Sequence, residues 1–165
     1  MNNKHALVCG SSKGIGASTA IELSKLGATI TLLARDKDSL SNVLDCLDTS
    51  KNQNHNFIIA DFDDPFKLKD TINQHVINNP TIHILINNSG GPKPGPIVDA
   101  NVEDFISAFN RHLICNHILV QAVVPKMKEA RFGRIINITS TSVKQPIKGL
   151  GISNTIRGAV ANWAK

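Results

Sequence analysis

The sequence contains no tyrosine, and aromatic residues make up only 4% of its 165 residues. Apolar residues still reach 41%, which is ordinary for an α/β protein and enough for the core of one domain. No apolar run approaches the roughly 20 residues that a membrane-spanning helix needs. The apolar stretch after the first four residues ends at a glycine turn, unlike a signal peptide. We therefore expect one cytoplasmic domain that spans no membrane.

Paired cysteines and clustered metal ligands are also missing. The three cysteines are odd in number, widely spaced and without a CxxC pair, which predicts free thiols in a reducing compartment: Cys9, Cys46 and Cys115. His112 and His117 are five residues apart, so they do not share the i, i+4 face of a helix, and no carboxylate accompanies them. We therefore predict no metal site.

The net charge of +5 is modest, and the basic residues are not interleaved with aromatic side chains. No nucleic-acid-binding motif accompanies them, so we expect no nucleic-acid partner. Four basic residues cluster near one predicted helix end: Lys126, Lys128, Arg131 and Arg134. We expect them to form a solvated surface, with a docking patch for an acidic partner or a phosphorylated substrate as the alternative.

Apolar, strand-like runs alternate with helical patterns along the chain. The predicted strands are residues 6–9, 29–34, 56–60, 83–86 and 135–139, and the predicted helices are residues 15–26, 38–47, 65–77 and 102–128, with a last one from about Ser153. This alternation predicts a parallel, doubly wound sheet in three layers, the Rossmann type of α/β fold, in a single domain over residues 1–165. The last helical pattern lacks a glycine cap, so we expect a chain incomplete at its C-terminus, with the last strands of the sheet missing.

A glycine turn follows the first predicted strand, with the sequence Gly10-Ser11-Ser12-Lys13-Gly14-Ile15-Gly16. Glycine lets the backbone turn tightly and approach a ligand at positions that a Cβ atom would block. The helix that the turn opens offers unpaired N–H groups and a partial positive charge to a phosphate. The segment therefore predicts a cradle for nucleotide phosphates, with plain turn chemistry as the alternative.

Further motifs follow the later strands at matching spacing. Asp61 follows the third strand, Asn87-Asn88-Ser89-Gly90 follows the fourth, and the fifth reads Gly133-Arg134-Ile135-Ile136-Asn137-Ile138-Thr139-Ser140. Together with the Gly-x-x-x-Gly-x-Gly turn, this ordered set resembles the short-chain dehydrogenase/reductase family, and in particular its β-ketoacyl carrier-protein reductase-like branch. The resemblance covers essentially all 165 residues and implies an oxidoreductase that uses a nicotinamide dinucleotide.

The resemblance implies a cofactor site built from residues that follow the strands. The glycines of the turn would hold the phosphates, and Asp61 with Phe62 would meet the adenine. Asn88 and Gly90 would support the central sheet and leave room for the ribose on the nicotinamide side. The implied set is Gly10, Ser12, Lys13, Gly14, Ile15, Gly16, Arg35, Asp61, Phe62, Asn88 and Gly90.

Charge at the end of the second strand distinguishes the two dinucleotides. An NAD site needs a carboxylate there to accept a hydrogen bond from the ribose 2′-hydroxyl, whereas this chain has Ala34 followed by Arg35. A guanidinium suits a phosphate dianion, and Lys13 adds a second cation on the same side. Asp36 could contest the phosphate, but it lies past the strand end and is expected to cap the next helix. We therefore predict NADP(H) as the cofactor.

The resemblance also implies a catalytic set, and here the chain departs from the family. The family uses a serine, then Tyr-x-x-x-Lys, together with an asparagine from the preceding long helix. Ser140 matches the serine, but Ser153 replaces the tyrosine and Arg157 replaces the lysine. A serine hydroxyl is far less acidic than a phenol, and an arginine stays protonated at neutral pH. Ser153 could orient a carbonyl or cap the last helix, and Arg157 could bind ribose hydroxyls.

His112 stands where the family has its asparagine. Histidine is the natural substitute for the missing acid, because it ordinarily titrates at about pH 6.5. We hypothesise that His112 supplies the proton to a reduced carbonyl through water and Ser153, with a satisfied interior histidine as the alternative. The hypothesis predicts that turnover depends on His112.

Three functions are compatible with these motifs. The first is an NADPH-dependent reductase of ketones, sugars or 3-oxoacyl thioesters with a non-standard catalytic set. The second is a non-catalytic NADP(H)-binding module, and the third is a truncated gene product. The expected partners are a small-molecule carbonyl or alcohol, a second copy of the chain through its long central helices, and an acidic carrier protein. Carrier docking is suggested by Arg131, which matches a docking position of carrier-protein reductases.

Overall fold

Five parallel strands form one sheet in the computed structural model, which describes residues 1–165. In chain order they are β1 His5–Cys9, β2 Thr29–Ala34, β3 Asn56–Ile59, β4 Ile84–Asn87 and β5 Arg134–Asn137. Their order across the sheet is β3-β2-β1-β4-β5, and every neighbouring pair is parallel. The predicted doubly wound sheet is confirmed.

The chain forms six α-helices: α1 Gly14–Lys25, α2 Lys37–Leu44, α3 Pro65–Asn78, α4 Val102–Phe109, α5 Cys115–Glu129 and α6 Gly151–Trp163. Helices α1 and α2 cover one face of the sheet, and α3 and α5 cover the other. Neighbouring residues of a strand point to opposite faces, so Leu7 packs in the core beneath α3 and α5, whereas Val8 packs in the core beneath α1 and α2. Helix α6 packs on α4 through Ile152, Ile156 and Ala108. The sheet is therefore the middle of three layers, and both faces of its central strands β1, β2 and β4 are buried.

Three side chains cap helix starts as their sequence positions predict. Asp36 precedes α2, Asp64 precedes α3 with Pro65 in the first helical position, and Asn101 precedes α4. Each accepts a hydrogen bond from the backbone N–H three residues later, at 2.7, 3.0 and 2.9 Å respectively. Because Asp36 serves as this cap, its carboxylate is directed at α2.

The long central helix is not continuous, although its sequence predicts one helix over residues 102–128. A π-helical turn at Asn110–Ile114 separates α4 from α5. Such turns insert an extra residue and redirect side chains, and they are frequent at functional sites. Here the turn carries Arg111 and His112.

The sheet order reverses direction at β1, which lies between β2 and β4. The connections from these strands therefore leave to opposite sides, and a crevice opens above the carboxyl ends of β1 and β4. At the far side, β5 is an edge strand whose Ile135 and Ile136 are exposed. None of the helices is both long enough and apolar enough to cross a membrane.

Candidate functional site

A cleft with a volume of about 550 Å³ opens above the carboxyl ends of β1 to β4. Most residues of the predicted cofactor set line it: Gly10, Ser12, Lys13, Ile15, Arg35, Asp61, Phe62, Asn88 and Gly90. Gly14 and Gly16 belong to the same turn but do not line the cleft. The structure therefore brings together residues that are up to 80 positions apart, because each follows a strand of the same parallel sheet.

Close backbone packing accounts for two glycines of the turn. Gly10 has a φ of +57°, and a Cβ atom there would lie 2.7 Å from the side-chain nitrogen and the carbonyl oxygen of Asn88. A Cβ atom on Gly16 would collide with the carbonyl group of Gly10. Asn88 Nδ2 donates to the carbonyl oxygens of Cys9 (3.3 Å) and Gly10 (3.2 Å), which ties the turn to the end of β4.

The N-terminus of α1 borders the cleft without a capping side chain. Lys13 precedes the helix in an extended conformation, and its side chain makes no capping hydrogen bond. The first N–H groups of a helix lack intrahelical acceptors and carry partial positive charge. This end of the cleft can therefore donate hydrogen bonds to an anionic group.

Arg35 follows β2 and lines the same cleft, and its guanidinium is exposed. Its Nη1 lies 3.8 Å from Asp61 Oδ2 and 3.6 Å from Asp63 Oδ2, both at the end of β3. The distances exceed those of a direct hydrogen bond, and the three groups are open to solvent. The guanidinium is therefore only loosely paired and available to a ligand.

Asp63 is held more tightly by Arg111, which reaches it from the π turn. Arg111 Nε donates to Asp63 Oδ1, and Arg111 Nη2 donates to Asp63 Oδ2 at 2.6 Å, so the pair is bidentate. The Arg111 hydrogen bond keeps the pKa of the Asp63 carboxyl below its usual range, and the Arg111 charge acts in the same direction. The contact joins the end of β3 to the central helix across the wall of the cleft.

Ser89 and His112 form a second polar contact beneath the cleft. Ser89 Oγ lies 2.8 Å from His112 Nδ1, and Ser89 follows β4 in the cleft wall. His112 is 1% exposed, and its Nε2 has no hydrogen-bond partner. The imidazole is therefore a buried polar group with one nitrogen in use and one free.

Burial, together with the charges of Arg157 and Arg111, lowers the pKa of His112 to about 4. The expectation of an ordinary titration at about pH 6.5 is therefore wrong for this residue, because its buried cationic form loses hydration beside two guanidinium groups. His112 is neutral at pH 7. A neutral imidazole can still accept a proton on one nitrogen while it donates from the other.

Arg157 and Ser140 are engaged with the backbone near the end of β5. Arg157 Nη1 donates to the carbonyl oxygen of Ile138 at 2.7 Å, and burial lowers the pKa of this guanidinium. Ser140 Oγ accepts the N–H of Ser142 at 3.1 Å and begins a short 3₁₀ turn, Thr141–Val143. The charge of Arg157 contributes to the lowered pKa of His112. Ser140 makes no hydrogen bond with Arg157 or with His112.

Ser153 does not cap α6, so that interpretation of its role is wrong. The helix begins at Gly151, after Leu150, and Ser153 lies inside its first turn. A long-range backbone contact sets this start, because Gly151 N–H donates to the carbonyl of Gly95 and Gly95 N–H donates to that of Gly149. Ser153 makes no side-chain hydrogen bond, so its hydroxyl is free to bind a ligand.

Eight residues that line the cleft were not in the predicted set, and three of them form the polar contacts described above: Asp63, Ser89 and Arg111. Asp63 and Ser89 lie directly beside predicted site residues, so the loops were located although the side chains were not. The only sequence signal at Arg111 was its position next to His112, because its partner Asp63 is 48 residues away. A single sequence carries no signal for such a pairing.

Comparison with protein families gives a match over nearly the whole chain. The family model described as short chain dehydrogenase matches residues 4–165. Hydroxysteroid dehydrogenase-like protein 1 of Gallus gallus is 34% identical over 143 residues, which cover 86% of this chain and 43% of that protein. An uncharacterised oxidoreductase of Mycobacterium tuberculosis is 26% identical, and the chain spans 63% of its length.

Solved structures agree in fold and contain nicotinamide dinucleotides. L-Sorbose reductase from Gluconobacter frateurii, complexed with NADPH and L-sorbose, has a TM-score of 0.91 at 26% identity over 99% of this chain and 62% of that chain. A metagenomic short-chain oxidoreductase in complex with NADP has a TM-score of 0.88 at 25% identity, covering 98% of this chain and 73% of that chain. The chain thus spans about two thirds of the proteins whose fold it shares.

Proposed function

The chain belongs to the short-chain dehydrogenase family, and from this premise we propose that it binds NADP(H) in the cleft and reduces a carbonyl substrate with a non-standard catalytic set. The observation that carries the cofactor assignment is the guanidinium of Arg35 at the end of β2, which lines the same cleft as the uncapped start of α1. A dinucleotide with a phosphate-bearing ribose suits this pairing, because both groups can donate hydrogen bonds to phosphates.

The residues present fit a dinucleotide. The glycine turn packs closely because Gly10 has no Cβ atom to meet Asn88 and Gly16 has none to meet Gly10, and Gly10 lines the cleft. Asp61 and Phe62 line the wall beyond Arg35, where an adenosine would lie, and Asn88 and Gly90 line the other end. When bound, NADPH would supply a hydride to the carbonyl carbon of the substrate.

Replacing Arg35 by aspartate is expected to weaken NADPH binding about a hundredfold, because a carboxylate repels the phosphate that the guanidinium attracts. NADH, which has a hydroxyl in place of that phosphate, should bind the variant at least as well as it binds the unmodified protein. The measurement is a fluorescence titration with each nucleotide, and Arg134→Asp on the edge strand β5 is the matched control. Equal losses for NADPH and NADH would contradict the assignment.

On the substrate side, the chain would position a carbonyl with hydroxyl groups and move a proton through an imidazole. Ser140 and Ser153 would orient the carbonyl oxygen, and Arg157 would bind ribose hydroxyls. His112 is neutral, so it would take up a proton from water on one ring nitrogen and release the proton of the other through Ser153 to the oxygen of the reduced carbonyl. Its Nδ1 lies beside the Ser89 hydroxyl. The substrate class that suits this set is a ketone, a sugar or a 3-oxoacyl thioester, as in the carrier-protein reductase-like branch.

His112→Ala should lower the turnover of NADPH oxidation about a hundredfold without changing NADPH affinity, because the proton path is lost while the cofactor cleft is intact. Turnover is measured with saturating NADPH across a panel of ketones, sugars and acyl thioesters. His117→Ala is the control, since His117 is exposed on the same helical region. Unchanged turnover in His112→Ala would remove the imidazole from the mechanism.

A non-catalytic NADP(H)-binding module is the second candidate, and one observation favours it. The chain has no tyrosine, and Ser153 and Arg157 are a weak acid and a permanent cation. NADPH binding without oxidation across the substrate panel would support this second function. Docking of an acidic carrier protein at Arg131 and assembly of two copies through the central helices stay predictions.

A further inference from the structure

Two aspartates and two arginines face one another at the adenosine end of the cleft. Asp61, Asp63, Arg35 and Arg111 all line it, and the NADP(H) assignment uses only Arg35 among the arginines. On that assignment, which the role of Arg111 presupposes, Arg35 must stay free to bind a phosphate. Two carboxylates within 4 Å of the guanidinium would otherwise neutralise it and repel a phosphate dianion.

Both oxygens of Asp63 are engaged by Arg111. Nε and Nη2 of Arg111 form the bidentate pair, and Ser107 Oγ approaches Asp63 Oδ1 at 3.4 Å. Asp61 is also partly engaged, since its Oδ1 accepts the backbone N–H of Asp63 at 3.0 Å. Arg35 therefore faces carboxylates that already have closer partners, which is why its own distances to them are long.

The charges at this end sum differently with and without Arg111. With Arg111, the three positive side chains in the cleft (Lys13, Arg35 and Arg111) balance the three negative ones (Asp36, Asp61 and Asp63), and the Asp36 carboxylate already accepts the N–H of Ser39. Without it, Asp63 would be an unpaired carboxylate at 3.6 Å from Arg35 and would take over the guanidinium. One negative charge would then be in excess around the place where the 2′-phosphate is expected.

We propose that Arg111 is a cofactor-specificity residue, which holds the Asp63 carboxylate so that Arg35 stays available to the 2′-phosphate of NADP(H). Arg111 acts through Asp63 and is a positioning residue. The 2′-hydroxyl of NAD(H) has no charge to be repelled and can donate to a carboxylate. Loss of Arg111 should therefore weaken the binding of NADP(H) and leave the binding of NAD(H) nearly unchanged.

The test is binding of NADP⁺ and NAD⁺ to the full chain by isothermal titration calorimetry. Arg111→Met, which keeps the length of the side chain without its charge, should weaken NADP⁺ binding about tenfold and change NAD⁺ binding less than about twofold. Adding Asp63→Asn to this variant should restore NADP⁺ affinity to within about threefold, because the carboxylate that captures Arg35 is gone.

The rescue separates the electrostatic role from a structural one. If Arg111 only tethered the central helix to β3, the double variant would bind both nucleotides as poorly as Arg111→Met does, and the proposal would be overturned. It would also be overturned if Arg111→Met kept the preference of the unmodified protein. A lack of preference for NADP⁺ in the unmodified protein would instead contradict the cofactor assignment itself. Thermal unfolding of each variant identifies losses due to misfolding.

Discussion

Replacing Gly16 by alanine is expected to lower the free energy of unfolding by about 3 kcal/mol and to abolish NADPH binding. The added Cβ atom would lie 2.7 Å from the carbonyl carbon of Gly10 and 2.9 Å from Cα of Ser11. Both are backbone atoms of the glycine turn, so no side chain can rotate to make room. The turn would have to move away from α1, and the N–H groups that face the cleft would move with it.

Gly14→Ala is the matched control, because it adds the same methyl group two residues earlier. Gly14 has a φ of +57°, but a Cβ atom there would have no other atom within 4 Å. Only the left-handed backbone conformation is penalised, at about 1 kcal/mol. Urea unfolding monitored at the single tryptophan, Trp163, measures both variants. If the two substitutions cost the same, close packing against Gly10 is not what requires glycine at position 16.

The fold could be predicted from the sequence because its signals are local. Short apolar runs separated by helical patterns define the strands, and the bounds of β2 were predicted without error. The predicted helix starts at residues 65 and 102 are confirmed, because Asp64 and Asn101 each cap a helix through an N–H only three residues away. Asp36, expected to cap the next helix, does so in the same way. The parallel order follows once helices separate successive strands.

The cofactor end of the site was located for the same reason. Its predicted residues lie in loops directly after strands, and parallel strands bring those loops to one edge. The roles of Gly10, Lys13 and Arg35 toward a cofactor stay predictions, although the cleft brings them together. The sequence pattern predicted only that these residues lie at the same edge of the sheet.

The catalytic end depends on contacts that a single sequence does not reveal. Burial of His112 against two guanidinium groups lowers its pKa, and neither the burial nor the groups are visible in a helical pattern. The π turn leaves no signature in the helical periodicity either. The start of α6 depends on a hydrogen bond to Gly95, which is 56 residues before Gly151. The residues near Ser153 therefore did not reveal that the helix begins earlier.

Lowering the pH from 7 to about 4 is expected to destabilise the protein strongly, because the folded chain buries histidines in their neutral form and the unfolded chain can protonate them. Burial lowers the pKa of His5 to about 4, with a contribution from the charge of His75, and that of His112 to a similar value. The pKa values of His75 and His83 are also lowered, mainly by burial. A depression from 6.5 to about 4 corresponds to about 3 kcal/mol for each fully buried imidazole.

The direction in which the free energy of unfolding changes with pH depends on whether the folded or the unfolded chain binds protons first as the pH falls. Above about pH 6.5 the imidazoles are neutral in the folded and unfolded chains, so the full stability is present. Between about pH 6.5 and 4 the unfolded chain takes up protons that the folded chain refuses, so the free energy of unfolding falls as the pH falls. The carboxyl pKa of Asp63 is also depressed, so its protonation adds to the loss at still lower pH.

Urea unfolding at pH 7, 5.5 and 4.5 measures this dependence, and glutamine substitutions identify its source. His5→Gln keeps a donor for Thr31 Oγ1, which lies 2.7 Å from His5 Nε2, and removes the titrating group. The double variant with His112→Gln should lose most of the slope between pH 6.5 and 4.5, whereas His117→Gln, at an exposed position, should keep it. A slope that survives in the double variant would show that other groups govern acid unfolding. A slope that disappears would mean that the interior histidines, one of them at the proposed proton path, limit the pH range in which this fold is stable.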